Sequence, residues 1–133
     1  MSVLYCLETP LSGGETYWTS NGSAFAGLKE NMKNKISNLS VFYQHRLPEY
    51  NEAPPVKQFL IITQPEIGAK CLYFSPAHAR RVSGLSKTEG NKLLMNLTTH
   101  MTREKYVFQH QRQPGDLVMW DNRYTMHKRN SFI

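Results

Sequence analysis

The chain has 133 residues, 40% hydrophobic and 11% aromatic, with a formal net charge of +6. This is one domain at most, and without an apolar run of membrane-spanning length or a charged-then-apolar leader a cytoplasmic protein is expected. The basic residues (Lys29, Lys33, Lys35, Arg80, Arg81, Lys128 and Arg129 among them) are scattered, with no zinc spacing or RNA-binding aromatic signature; this argues against a nucleic-acid partner and leaves a surface suited to anionic small molecules.

Val3 to Glu8 reads as a short strand, closed by Pro10 and the Ser12-Gly13-Gly14 turn. Glu15 to Thr19 alternates aromatic and polar side chains around Tyr17 and Trp18, so the two runs predict a hairpin. From Ser23 the period changes. Phe25, Leu28, Met32, Ile36 and Leu39 recur three and four residues apart, which predicts one amphipathic helix with a single buried stripe. Val41 to Tyr43 predicts a strand, and Leu47 to Val56, with Pro48, Pro54 and Pro55, a surface loop.

Phe59-Leu60-Ile61-Ile62 and Cys71-Leu72-Tyr73-Phe74 flank Gln64-Pro65-Glu66-Ile67-Gly68, the pattern of a hairpin with four or five loop residues. Ser86-Lys87-Thr88-Glu89 has the form of a capping box, and Leu93, Leu94, Leu97 and Met101 give the following helix its apolar stripe. Tyr106-Val107-Phe108 resumes a strand and Pro114-Gly115 turns it. Leu117-Val118-Met119-Trp120 then reads as a buried strand, broken by Asp121-Asn122 before a short segment that carries His127. Cys6 and Cys71 sit inside strand-like runs and read as buried small hydrophobes of a reducing compartment. About seven strand runs and two helices without a repeat predict a single domain over 1–133, mainly β with helices (α+β): a partial jelly roll with two inserted helices.

The string Gly115-Asp116-Leu117-Val118-Met119-Trp120-Asp121-Asn122-Arg123-Tyr124-Thr125-Met126-His127 resembles the closing motif of the taurine and chlorophenoxyacetate dioxygenases, which depend on Fe(II) and 2-oxoglutarate. In that family the histidine ending the motif is the distal iron ligand, and His127 matches it. Gly13-Gly14-Glu15-Thr16 resembles the family's G-G-D-T turn, whose threonine hydroxyl hydrogen-bonds the oxoacid carboxylate. Thr16 carries that match, and Glu15 departs from the commoner aspartate. Without the resemblance, Thr16 reads as a β-branched residue starting a strand.

Tyr73-Phe74-Ser75-Pro76-Ala77-His78-Ala79 resembles the chlorophenoxyacetate branch, where a histidine in this segment lies near the substrate pocket. His78 is thereby a candidate for positioning an anionic substrate, or else a satisfied loop histidine. Gln64-Pro65 stands where many members have His-Pro, a departure from the ordinary enzyme pattern. His45, His100 and His110 match nothing catalytic. Asp116 and Asp121 lie near the candidate metal histidine within the motif but sit in turn contexts, where an aspartate bonds its own backbone more readily than a metal.

Fe(II) that must bind both O2 and an oxoacid needs a site half filled by protein, which two histidines and one carboxylate supply. The family's first histidine and carboxylate come as H-x-D, and none of the five histidines here is followed by x-Asp or x-Glu. The resemblance aligns Val3-Leu4-Tyr5 with the strand after that tripeptide, so H-x-D is expected ahead of Met1. The family arginine that clamps the far carboxylate of 2-oxoglutarate lies beyond the distal histidine; Arg129 is too close along the strand to match it.

The expectation is therefore a truncated dioxygenase domain using Fe(II) and the co-substrate 2-oxoglutarate to hydroxylate a small, anionic substrate. His127 is its metal residue, no residue is assigned to acid–base or covalent catalysis, and the chain by itself is inactive. Two alternatives stand beside it: a non-catalytic remnant that keeps the fold without the metal site, and a basic nucleic-acid module. Truncation further predicts that Val3 to Leu7 and the segment ending at Ile133 are exposed or poorly paired sheet edges.

Overall fold

A computed structural model describes residues 1–44, 47, 49 and 53–131. In chain order the strands are β1 (Ser2–Tyr5), β2 (Thr16–Ser20), β3 (Ser40–Tyr43), β4 (Val56–Phe59), β5 (Ile61–Thr63), β6 (Lys70–Leu72), β7 (Ala79–Val82), β8 (Val107–His110), β9 (Leu117–Trp120) and β10 (Thr125–Arg129). The helices are α1 (Asn21–Ala26), α2 (Glu30–Ile36) and α3 (Lys87–Met101). Among the described residues the strands make four antiparallel sheets, ordered β1-β9, β10-β2-β8, β4-β3-β7 and β5-β6. No helix among the described residues is long and apolar enough to cross a membrane.

The predicted hairpin of the first two runs does not form. β1 pairs with β9 (Val3 opposite Met119, Tyr5 opposite Leu117), while β2 lies between β8 and β10. The Pro114-Gly115 turn settles the pairing: Gly115 N donates to Cys6 O at 2.8 Å and Cys6 N donates to Asp116 O at 2.9 Å. Gly115 takes φ +92°, which a side chain would strain.

The single helix predicted from Ser23 is two. Ser20 caps α1, accepting from Ser23 N at 3.3 Å, and α1 ends at Gly27, whose N–H returns to Ser23 O at 3.0 Å. A Cβ on Gly27 would collide with the Tyr106 hydroxyl, so the break lets a distant ring pack against the backbone. The stripe itself faces inward: Leu28 and Ile36 are buried, and Phe25, Met32 and Leu39 pack against the same core. The capping box of α3 is present, with Ser86 Oγ accepting from Glu89 N and Glu89 Oε2 accepting from Ser86 N. Leu93, Leu97 and Met101 carry α3 into the core beside Val82.

Phe59-Leu60-Ile61-Ile62 is divided between two sheets. β4 pairs with β3, β5 pairs with β6, and wholly buried Leu60 bends the chain between them. Leu60 N donates to Leu39 O at 2.9 Å and its carbonyl accepts from Tyr73 N at 2.8 Å, so the bend loses no hydrogen bond. The β5–β6 hairpin forms with a loop of residues 64–69, longer than predicted. Within the predicted 47–56 loop, Val56 opens β4, and Pro48 lies outside the described residues.

Cys6 and Cys71 are free and buried. Of the predicted edges, β1 pairs only with β9 and β10 only with β2 among the described residues, and Val3, Tyr5 and Leu7 are exposed. Ile133 lies outside the described residues.

Candidate functional site

The site is built on the sheet β10-β2-β8. In its register His127 lies opposite Trp18, which lies opposite Phe108, and Arg129 lies opposite Thr16, which lies opposite His110. Side chains alternate along a strand, so these six leave one face of the sheet. Trp120 of β9 covers that face. Its ring centroid is 5.1 Å from His127 and 5.6 Å from Trp18, the latter edge-on. Trp120 Nε1 donates to Asn122 Oδ1 at 2.7 Å and Asn122 Nδ2 donates to Ser2 Oγ at 2.6 Å, which holds the indole in place. The His127 imidazole thus rests on a fixed aromatic wall with its other side exposed.

Thr16 and His127 share a face but not a cavity. Thr16 is 4% exposed at the end of the sheet where Gly13 and Gly14, both near φ +77°, turn into β2. A cavity of about 370 Å³ at that end is lined by Gly13, Gly14, Arg112, Arg129 and Glu8. Arg112 Nη2 donates to Gly14 O at 3.0 Å. Arg129, set aside for its closeness to His127, stands directly across from Thr16. Strand parity carries the signal, since two residues along a strand return to the same face.

His127 and His78 do share a cavity. It measures about 620 Å³ and includes Tyr43, Tyr73, Phe74 and Asn21 in its lining. Ser75 Oγ and His78 Nδ1 are 3.1 Å apart, His78 N donates to Ser75 O at 3.1 Å, and Gln44 N donates to His78 O at 3.3 Å, so the loop that presents the ring is tied down. Tyr43 donates to Tyr73 O at 3.0 Å, and burial pushes its phenol far above the ordinary value, so it lines the cavity as a neutral group. A second cavity of about 550 Å³ also includes His127 in its lining, together with Thr19, Thr98, Thr102 and Lys128.

The two aspartates of the motif do turn work. Asp116 Oδ2 accepts from Gln113 N at 2.8 Å and lies 2.8 Å from His110 Nε2; these contacts hold its carboxyl below the usual range. Asp121 accepts from Arg123 Nε, Nη2 and N and from Gln64 Nε2. The Arg123 guanidinium foremost, then its backbone N–H and Gln64, hold Asp121 far below the usual carboxylate range. His100 bonds the Ala24 carbonyl at 2.8 Å, and His45 lies outside the described residues.

Among the described residues no three His, Cys, Asp or Glu side chains gather closely enough to hold a metal. These residues therefore do not complete an Fe(II) site; His127 offers one imidazole where a facial triad needs three ligands.

The sequence profile of the taurine catabolism dioxygenase TauD, TfdA family matches residues 1–132. The chain belongs to that family. It is 33% identical, over 96% of its length and 46% of the relative's, to an alpha-ketoglutarate-dependent 2,4-dichlorophenoxyacetate dioxygenase of Burkholderia sp. (strain RASC). It is 27% identical, over 90% of its length and 47% of the relative's, to an (S)-phenoxypropionate/alpha-ketoglutarate-dioxygenase of Sphingobium herbicidovorans. The crystal structure of AAD-2 in complex with Mn(II) and N-oxalylglycine superposes with a TM-score of 0.91 at 30% identity, covering 98% of this chain and 56% of that one. The fold is that of the TauD/TfdA jelly roll, and the chain spans about half the length of the relatives it matches.

Proposed function

We propose that this TauD/TfdA chain is part of an Fe(II)- and 2-oxoglutarate-dependent dioxygenase domain that hydroxylates a small anionic substrate in the cytoplasm. His127 is one iron ligand, Thr16 binds the oxoacid carboxylate, and His78 positions the substrate in the cavity it shares with His127. The observation that carries this reading is the common face of Thr16 and His127 on one three-stranded sheet. The relatives' names support the substrate class, since phenoxyacetates and phenoxypropionates are carboxylates. A surface of net charge +6 would draw such anions in.

Within this division of labour, the aromatic wall of Trp18 and Trp120 fixes the imidazole and keeps water from one side of it. Tyr43, Tyr73 and Phe74 give the cavity an apolar lining suited to an aromatic or alkyl body. The 133 residues alone are inactive, because among the described residues one imidazole leaves the triad incomplete.

A non-catalytic remnant is the second reading, and the single imidazole at the site among the described residues is the observation that favours it. The two separate in a graft of residues 1–133 into the Burkholderia relative in place of its matched segment. A folded graft that releases succinate from 2-oxoglutarate supports the enzyme reading. A folded graft that releases none supports the remnant.

A further inference from the structure

We propose that Gln64 is a positioning residue for His127: its buried amide joins the β5–β6 loop to the Asp121 turn and so fixes the direction in which β10 leaves that turn. Gln64 is 7% exposed and both ends of its amide are engaged. Oε1 accepts from Ile67 N at 2.9 Å inside its own loop, and Nε2 reaches across to Asp121 Oδ2 at 3.2 Å. Its backbone is tied as well, with Gln64 N donating to Ala69 O at 2.8 Å and Gly68 N donating to Gln64 O at 2.9 Å. The loop is a braced platform, and the amide is one of its bonds to the turn.

Asp121 is the hub of that turn. Besides the bonds its carboxylate makes with Arg123, its carbonyl accepts from Tyr124 N at 3.1 Å, Thr125 N at 2.9 Å and Thr125 Oγ1 at 2.8 Å. His127 follows Thr125 by two residues on β10. The hairpin grips the same turn twice more: Arg123 Nη2 donates to Glu66 Oε1 at 3.0 Å, and Cys71 Sγ donates to Arg123 O at 3.1 Å. β10 is paired along one edge only among the described residues, so its turn end has much to do in setting its direction.

The chemistry of position 64 suits the task. A carboxylate there would face Asp121 and Glu66, two like charges against the single guanidinium of Arg123. An imidazole would change its charge near neutral pH. An amide donates to Asp121 at every pH and accepts from Ile67 at the same time. The departure noted at Gln64-Pro65 thus has a structural use. Its consequence for iron rests on reading His127 as a ligand; the lock itself does not.

The test is amide hydrogen exchange by NMR on the 133-residue chain, with Gln64→Leu and Gln64→Glu compared with the unmodified chain at each pH. Gln64→Leu is expected to lower protection at Thr125–Arg129 about tenfold or more while the β3–β7 ladder keeps its own. Gln64→Glu should match the unmodified chain below about pH 4, where the introduced carboxyl is protonated and donates to Asp121, and lose β10 protection above about pH 6. If Gln64→Leu does not fold, the pH series of Gln64→Glu decides. Unchanged β10 protection, equal loss in every sheet, or a pH-independent Gln64→Glu would overturn the proposal. If protection follows Gln64 but His127→Ala in the graft leaves metal binding unchanged, the lock stands and the ligand reading falls.

Discussion

His127 lies directly across from Trp18 on the neighbouring strand, and Thr16 sits two residues from Trp18 on that same strand. Imidazole and hydroxyl therefore leave one face of the sheet, with the indole between them and Trp120 closing over both rings. Removing Trp120 should release the imidazole. We expect Trp120→Ala to cost about 2 kcal/mol, since the ring is half-buried, and to shift the His127 ring protons in NMR. Urea unfolding gives the first quantity; an unmoved His127 signal would count against the aromatic wall.

Gly27 and Tyr106 should be energetically coupled. A Cβ at Gly27 meets the Tyr106 hydroxyl, and that hydroxyl is buried without a hydrogen-bond partner among the described residues. Gly27→Ala is expected to destabilise by about 1–3 kcal/mol. Tyr106→Phe should be neutral or stabilising, because it removes an unsatisfied polar atom. The double variant should lose less than the sum of the two, measured by thermal unfolding as a double-mutant cycle.

Acid should weaken the fold through Asp121. The Arg123 guanidinium and N–H and the Gln64 amide hold its carboxyl below the ordinary value. A depressed folded-state value adds stability that is fully present above the unfolded value, about 4, and is lost as pH falls from there toward the folded value. Urea midpoints between pH 6 and pH 2 should fall in that lower window, and Asp121→Asn should flatten the fall while lowering stability at pH 6.

The β1–β9 ribbon should make the chain self-associate. Val3 pairs with Met119 and Tyr5 with Leu117, and all four are more than half exposed on one face. An apolar face beside an unpaired strand edge favours association. Light scattering should rise with concentration, and Val3→Lys with Met119→Lys should suppress it without loss of far-ultraviolet circular dichroism signal.

Local signals were legible and distant ones were not. The Ser86–Glu89 capping box, the inward stripe from Phe25 to Leu39 and the β5–β6 hairpin each depend on neighbours in sequence, and each formed. The break at Gly27 depends on Tyr106, which no local pattern announces. β4 is exposed at all four positions, so it shows no alternation and exists by pairing with β3. At the site, His127 and Thr16 stood out through short motifs. Gln64 stands out in sequence only as a departure from His-Pro, because its bond to Asp121 spans 57 residues of sequence. Arg129 matches no family position, and strand parity sets it across from Thr16.

As proposed above, His127 binds the metal. Its most direct test is calorimetric titration of Mn(II) into the grafted domain in the presence of N-oxalylglycine, with and without His127→Ala. Binding should be saturable and weaken at least about tenfold in the variant, while circular dichroism shows both folded. Equal affinity for Mn(II) in the two proteins would contradict it.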